Sequence, residues 1–489
     1  MRLERLLWLL LLPLDDSVNS IASTHDCFLN HSSHIFELFS DNHLYHQVFL
    51  HLKEVSFLQE RDICFILQDH LTSQLNTHLI YWSPIPLDRS CLIHPPMPPE
   101  RTQSVYHGDM NLEAIAHFIN ENALKFRNID GSLSPLGESI EASLQQMHRV
   151  SNGDTCDSVD LSDLKSSIFE QNYLVPQRPL IIRNFMNVAN MSLINLLSHY
   201  LSRKVGVKLS PSSSFEGVDD IRNWGMESRQ KVPDFVLAQL ASTDKVIVRA
   251  AHEDMTLDEF FSLIRIEDKV GEQCERVHAY VEYLPVSYYL PGLLESLPTL
   301  SSHSSSIFDS FIDGKAYLWL GDGNTTGKWH FDPYDNVLIQ LEGSKTFFLT
   351  DTTHNRELRE GHMREAQLRI KGTESRRFCQ FEKDTLLEST SIVHTPILMD
   401  GTSTVKDVPI MNCTVHQGDA LFVPSFWWHE VVSTPGPSQT FQEKKIRLNA
   451  AINYWFEPLY TKEFPCAECS KHLNMKYRTK LKSIFLDNT

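Results

Sequence analysis

The sequence predicts a mainly β core of the double-stranded, jelly-roll kind with flanking helices, preceded by a mixed or helical N-terminal region. Three observations carry that expectation. From residue 275 onward, short runs rich in β-branched and aromatic residues alternate with turns, as an antiparallel double-stranded barrel requires. Two of those runs carry side chains that can ligate a metal, at the spacing of a strand rather than a helix. Residues 23–160, by contrast, show helical apolar spacing broken by prolines. A hydrophobic content of 42% with 22% charged residues is that of a globular chain, and 489 residues are enough for more than one domain.

Taken in order, the chain opens on a positive start, Met1-Arg-Leu-Glu-Arg5, and an apolar run from Leu6 to Leu14. That run is far short of the ~20 residues that span a bilayer, and Ser20-Ile-Ala22 has the form of a cleavage site. Residues 1–22 are therefore a signal peptide or else a buried leucine-rich first helix. The first reading is the expectation, and it sends the protein into the secretory pathway, to the endoplasmic reticulum lumen or outside the cell. The second would leave it in the cytoplasm or nucleus. Sequons at Asn30, Asn190, Asn324 and Asn412 are compatible with the secretory route. No later stretch reaches transmembrane length, so no membrane anchor is expected.

Within 23–160, Ile35-Phe-Glu-Leu-Phe39 and Tyr45 to Leu52 have helical apolar spacing. Pro84-Ile-Pro86 and Pro95-Pro-Met-Pro-Pro99 interrupt it as extended linkers. Glu113 to Asn120 predicts another amphipathic helix, and Val150 to Thr155 a turn before the next domain. This region carries no catalytic constellation.

The chemistry lies further on. His330 and Asp332 sit two apart in Lys328-Trp-His-Phe-Asp-Pro-Tyr-Asp-Asn336, and His429 closes Gly418-Asp-Ala-Leu-Phe-Val-Pro-Ser-Phe-Trp-Trp-His429. Residues i and i+2 of a strand share a face, so His330 and Asp332 can grip one ion, with His429 delivered from a neighbouring strand. Two imidazoles and a carboxylate on one face of an ion form the facial triad of non-haem Fe(II) oxygenases. With 23 histidines in the chain, a His-x-Asp pair alone is weak. Lys345, fifteen residues after His330 at the start of the next strand, sharpens it. A lysine entering an apolar strand is either a solvated rim residue or the buried partner of an anion such as a dicarboxylate cosubstrate.

The block from about Tyr280 to Phe456 resembles the JmjC-type cupin fold of 2-oxoglutarate- and Fe(II)-dependent oxygenases, close to the asparaginyl-hydroxylase branch. The resemblance rests on Leu318-Trp-Leu-Gly321, the His330-x-Asp332 strand with Asn336 and Lys345, Gly418 to Pro424, Trp427-Trp-His429 and Asn453-Tyr-Trp-Phe456. Upstream, Val175 to Phe185 resembles the family's leading strand and Met255 to Phe261 its pre-barrel helix, so the likeness covers roughly 165–460. It implies Fe(II) held by His330, Asp332 and His429. It implies 2-oxoglutarate bound by Lys345 and Tyr280, with Asn336 and Asn453 lining the cosubstrate and dioxygen side, unless they are satisfied barrel-mouth amides. One departure stands out. The asparaginyl hydroxylase carries a threonine three residues before the first ligand histidine, and here that position is Gly327. Thr326 would face the other side of a regular strand, so either a bulge rescues it or the hydroxyl comes from elsewhere.

The resulting organisation is an oxygenase domain at 161–460, with a lead-in at 165–274, a barrel at 275–460 and an insert at 351–411, then a tail at 461–489. The insert begins helix-like and is placed to shape substrate access. The tail holds Cys466-Ala-Glu-Cys469, which lacks the ligands of a zinc site and suits a local disulfide or inert thiols. Nine cysteines are too few for a disulfide-built scaffold, though Cys27, Cys64 and Cys91 could allow one bridge. A formal charge of −18 argues against a non-specific nucleic-acid binder. The one basic stretch, from Met363 to Lys371 with Arg376 and Arg377, predicts a mixed-charge solvated helix. Gly321 to Lys328 mimics a phosphate loop, but Asp322 stands in place of its first glycine and Trp329 in place of Ser or Thr.

The resemblance implies a dioxygenase that hydroxylates a protein side chain, with 2-oxoglutarate and dioxygen consumed and succinate and carbon dioxide released. The alternatives are a small-molecule or RNA hydroxylase, an N-methyl-lysine demethylase, or an inactive cupin that binds or scaffolds.

Overall fold

The structure is a computed structural model of the whole chain. It describes most of 111–486, with its larger gaps at 223–237, 266–276, 297–304, 371–380, 387–391, 397–407 and 463–470. Before residue 111 it describes only 34–39, 63–68, 78–82 and 103–107. The expected signal segment, the 45–52 helix, both proline linkers, Asn30, Asn190, Arg376, Arg377 and the Cys466/Cys469 pair lie outside the described residues.

Two compact units are present, 1–145 with 478–487, and 146–477. The first holds a four-stranded sheet in the order Ile63–Gln68, His34–Phe39, His78–Trp82, Gln103–Tyr106. Ile35 to Phe39, expected as a helix, is thus a strand, paired parallel with 63–68. A five-residue apolar run cannot separate the two periods, and pairing partners decide it. The helix expected at 113–120 is present as Leu112–Ala123. The Asn111 side chain caps its N-terminus by accepting from Ala114 N, and Leu124 ends it in the left-handed region.

The second unit is the cupin-type barrel. A nine-stranded sheet runs in the order Ala251–Thr256, Lys204–Ser210, His278–Pro285, Lys315–Gly321, Asn449–Phe456, Asp335–Glu342, Ala420–Val423, Leu180–Arg183, Asp157–Asp160. Facing it, a four-stranded sheet runs Thr326–His330, Trp428–Thr434, Ser344–Thr350, Met411–Val415. Leu338, Leu421, Val423 and Ala451 from the first sheet pack against Phe347, Leu349, Met411, Cys413 and Val415 from the second. The barrel interior is therefore a closed apolar core at one end.

Several expectations change. The unit boundary falls at 145/146 rather than 160, because Asp157–Asp160 pairs with Leu180–Arg183 inside the larger sheet. The lead-in likewise supplies barrel strands, with the pre-barrel helix at Leu257–Leu263 closed by a Thr256/Glu259 capping box. The basic stretch expected as a helix is the strand Glu360–Ile370. It pairs with Lys245–Arg249, Phe381–Leu386 and Ile392–Pro396 in a third sheet that reaches Glu216–Asp220. Among the described residues of the insert's first part, only Thr352–His354 and Asn355–Leu358 are helical. Backbone hydrogen bonding on both edges, which a charge pattern does not report, set the outcome.

Cys156 and Cys413 form a disulfide across a sequence separation of 257 residues. It staples the segment before the leading strand to the four-stranded sheet, beside Val150, Met411 and Val415. Cross-links of long loops stabilise by restricting the unfolded chain, so Cys156→Ala should lower the unfolding free energy by about 2–4 kcal/mol in urea without reductant. Adding reductant should remove the difference between variant and parent, and peptide mapping that found both thiols free would disprove the bridge.

Candidate metal centre

His330 ends one strand of the small sheet and His429 begins its neighbour. The ladder between them slips by one residue after Gly327 and Val431, which brings His330 directly opposite His429. Their ring centroids are 4.3 Å apart. One ligand atom from each of His330, Asp332 and His429 lies within 4.8 Å of the others. His429 Nε2 is 3.7 Å from Asp332 Oδ2, longer than a hydrogen bond.

Both imidazoles are pre-oriented. His330 Nδ1 donates to Lys328 O at 2.6 Å, and His429 Nδ1 donates to Trp427 O at 2.9 Å. A carbonyl can only accept, so each Nδ1 carries the proton and each Nε2 lone pair is left for an ion. Burial, and then the neighbouring His330, push the His429 pKa down to about 4 against the pull of Asp332. His429 is thus neutral at ordinary pH, as a metal ligand must be. The donor set fits a divalent metal.

Lys345 lies deeper, 2% exposed, on the inward face of Ser344–Thr350. Its ammonium donates to Ser433 Oγ at 2.7 Å and lies 5.6 Å from the centre of the Tyr280 ring. Ser433 Oγ in turn meets Thr325 Oγ1 at 2.8 Å. Among the described residues no carboxylate pairs with Lys345, and burial alone pushes its pKa down to about 7. Tyr280 reaches this spot because it stands opposite Gly321, where a Cβ would come within 2.7 Å of its ring. A buried cation bonded to one hydroxyl and facing an aromatic ring is a receptor for an anion. The residues fit a dicarboxylate cosubstrate.

A Cβ at Gly327 would meet nothing within 4 Å, so the place expected for a threonine is open space. Thr326 stands opposite Val432 and so faces away from Ser433. The hydroxyls beside the lysine come from Ser433 and Thr325, which the motif comparison missed. Register was the only signal that could have found them. The two asparagines differ: Asn453 Oδ1 accepts from Trp319 Nε1 at 2.7 Å, whereas Asn336 Oδ1 is buried without a partner. Opposite Asn336 in register stands Trp455, whose Nε1 is likewise buried and unpartnered.

Trp455 belongs to an aromatic wall that sequence reading also missed. Tyr334 stacks on it at 5.7 Å, Tyr317 and Tyr283 lie 5.1 Å away, and Tyr283 is 4.4 Å from Trp319. Tyr283 has a φ of 55° within an irregularity of the His278–Pro285 ladder, which turns its side chain. Tyr283 is itself exposed at the rim of this wall, close enough to Asp332 for that charge to bear on its hydroxyl. The wall therefore stands beside the triad.

The cupin-like domain model matches residues 165–462. This chain belongs to the cupin-like JmjC family. The family typically uses Fe(II) and 2-oxoglutarate. The chain is similar to the human bifunctional peptidase and (3S)-lysyl hydroxylase JMJD7, with 22% identity over 60% of this chain and 81% of that one. It is also similar to the lysine-specific demethylase JMJ32 of Arabidopsis thaliana, 24% identical over 29% of this chain and 41% of the relative. The Jumonji C domain-containing protein 5 of Drosophila melanogaster is 24% identical over 35% and 39%. The last two matches span less than half of those relatives. Among the described residues, no helix of this JmjC protein is long and apolar enough to cross a membrane.

An unpaired buried ammonium is costly, which gives a stability test. The folded pKa of Lys345 lies below that of an unfolded lysine, so the unfolded state binds its proton more tightly. The penalty is full below about pH 7 and fades as pH rises towards the ordinary lysine value. Lys345→Met should therefore stabilise the metal-free protein by on the order of a few kcal/mol at pH 6, and by much less at pH 10. Thermal unfolding across that range checks it, and a gain independent of pH would contradict the burial.

Proposed function

We propose that this site is a working Fe(II)- and 2-oxoglutarate-dependent dioxygenase that hydroxylates a side chain of a protein, releasing succinate and carbon dioxide. The single observation that carries the reading is Lys345: a buried ammonium without a carboxylate partner among the described residues. A barrel used only for scaffolding gains nothing by keeping that charge buried.

His330, Asp332 and His429 would hold the metal by one face. Lys345 and Ser433 would hold the far carboxylate of 2-oxoglutarate, with Tyr280 against it. In register Lys345 lies four residues from Leu349, the residue opposite His429, or about 13 Å along the strand at ~3.3 Å per residue. A lysine side chain and a five-carbon dicarboxylate laid end to end match that span. Bound Fe(II) supplies dioxygen activation coupled to decarboxylation of 2-oxoglutarate. Phe347 and Val431, paired between Lys345 and His429, would screen the bound anion from water. The wall of Tyr283, Trp319, Tyr334 and Trp455 would receive the substrate side chain beside Asp332.

Support for a protein substrate comes from the family. Two relatives are named for lysine chemistry, one as a hydroxylase and one as a demethylase. The placement of Asp332 and Lys345, similar to the hydroxylase arrangement, favours hydroxylation here. The Cys156–Cys413 bridge supports folding in an oxidising compartment, in keeping with a secretory address.

His330→Ala, Asp332→Ala and His429→Ala should each abolish succinate formation from 2-oxoglutarate over peptide pools and sharply weaken Fe(II) binding. Lys345→Ala should raise the 2-oxoglutarate KM by roughly tens to thousands of times, the equivalent of ~2–5 kcal/mol, while Fe(II) binding stays nearly unchanged. Turnover retained in two of the three triad variants would refute the metal assignment. A KM within twofold in Lys345→Ala would refute the anchor.

A further inference from the structure

We propose that Lys462 and Glu360, a buried ion pair behind the barrel's small sheet, are positioning residues that lock the turn before His429, which is hydrogen-bonded to Asp332. The inference rests on the metal reading of that triad. Phe426, three residues before His429, donates its backbone N–H to the carbonyl of Asp332 at 2.8 Å. That bond ties one ligand's main chain to the segment that carries another. Phe426 makes it in the left-handed region, at φ 65°, a conformation a phenylalanine adopts only when its surroundings enforce it.

The enforcing surroundings are visible. Phe426 is 2% exposed and packs with Trp329, Phe331, Leu358 and Trp428. Phe331 stands between His330 and Asp332 in sequence, just past the strand's end, and Trp428 alternates with His429 along Trp428–Thr434, so on that strand the cluster lies on the face opposite His429. Two ammonium groups cover it. Lys462 Nζ lies 5.3 Å from the Phe331 ring centre and 5.8 Å from that of Phe426, and Lys471 Nζ lies 5.6 Å from Phe426. Lys462 is neutralised by Glu360, with Nζ 2.7 and 2.8 Å from the two carboxylate oxygens and neither side chain exposed. Lys471 donates to Ser425 O at 2.6 Å and to Gln177 Oε1 at 2.9 Å, which pins the residue before Phe426.

Stability alone does not call for this arrangement. A fully buried ion pair recovers little beyond its own desolvation cost, and apolar side chains of similar volume serve a core as well or better. What the pair supplies is direction: the Lys462 ammonium, fixed by Glu360 over both rings, holds Phe331 and Phe426 in one orientation, and with them the ligands on the reverse side. Supporting partners of this kind tune metal sites that they never touch.

The test uses the full chain and Co(II) as a spectroscopic substitute for iron. The double variant Lys462→Met/Glu360→Met removes both charges while keeping volume. Its metal-free Tm should match or exceed that of the parent, its Co(II) affinity should fall by roughly 10–100-fold, and its Co(II) visible spectrum should change. Phe426→Leu, which keeps the ion pair but removes the ring beneath it, should weaken Co(II) in the same direction and serves if the double variant does not fold. Lys462→Arg, which retains the pair, should bind Co(II) more tightly than the double variant. Affinity within twofold of the parent with an unaltered spectrum, in whichever charge or ring variant folds, overturns the clamp. Failure of the parent itself to bind Co(II) would instead overturn the metal reading.

Discussion

The site depends on one irregularity of pairing, the slip between Thr326–His330 and Trp428–Thr434. Regular pairing from Gly327 opposite Val431 would set Trp329, not His330, across from His429. The slip inserts one residue on the first strand and turns His330 inward. It also leaves Gly327 over open space and sends Thr326 outward, so the hydroxyls at the lysine come from the neighbouring strand and the preceding turn. The convergence of His330 with His429 and the approach of Ser433 to Lys345 both follow from the register of these strands.

Three buried lysines show how differently this barrel treats charge. Lys462 is fully paired with Glu360 and serves the fold from behind. Lys471 has only neutral oxygen partners at hydrogen-bond distance, with Asp335 the chief charge favouring its ammonium, and burial pushes its pKa down to about 7. Asp335 is itself held by the backbone N–H groups of Ser425 and Leu459, and burial pushes its pKa up. Among the described residues no carboxylate favours the charge of Lys345. The first two are explained by contacts within the chain. Among the described residues the third has no such contact, and that contrast is what the proposed role of Lys345 as an anion anchor rests on.

The convergence of the triad was legible in the sequence because its first two members lie two apart, although the strand ends at His330 and Asp332 follows just beyond it. Lys345 was legible as a charge in an apolar strand. Ser433 was not, since a serine in a strand has no signature until pairing brings it to Nζ of Lys345. Nor was Tyr283, whose direction follows from a ladder irregularity and a left-handed backbone. The Cys156–Cys413 bridge spans too much chain for spacing to suggest it. Glu360–Ile370 misled because its alternating charges suit a solvated helix equally well. Its strand is imposed by neighbours on both edges, and Arg364, 3% exposed within it, is a charge that no helix pattern would have buried.

Strand alternation gives the ligand segments two functional faces. Along Trp329 to Asp332 and Trp427 to His429, the inward side chains offer metal ligands while Phe331 and Trp428 turn outward into the back cluster. Trp428 Nε1 donates to the buried Asn355 Oδ1 at 2.6 Å, so the insert's short helix anchors the His429 strand from the same side as Lys462. Aromatic residues between ligands are therefore structural levers. Their rings must be satisfied behind the sheet before the imidazoles and the carboxylate can converge in front of it. A buried polar group in the back cluster restricts the ligands more tightly than apolar packing would, because hydrogen bonds and ion pairs tolerate fewer geometries than oily contacts do. The facial triad is three residues in sequence, but in the folded chain it is the front of a double-sided device.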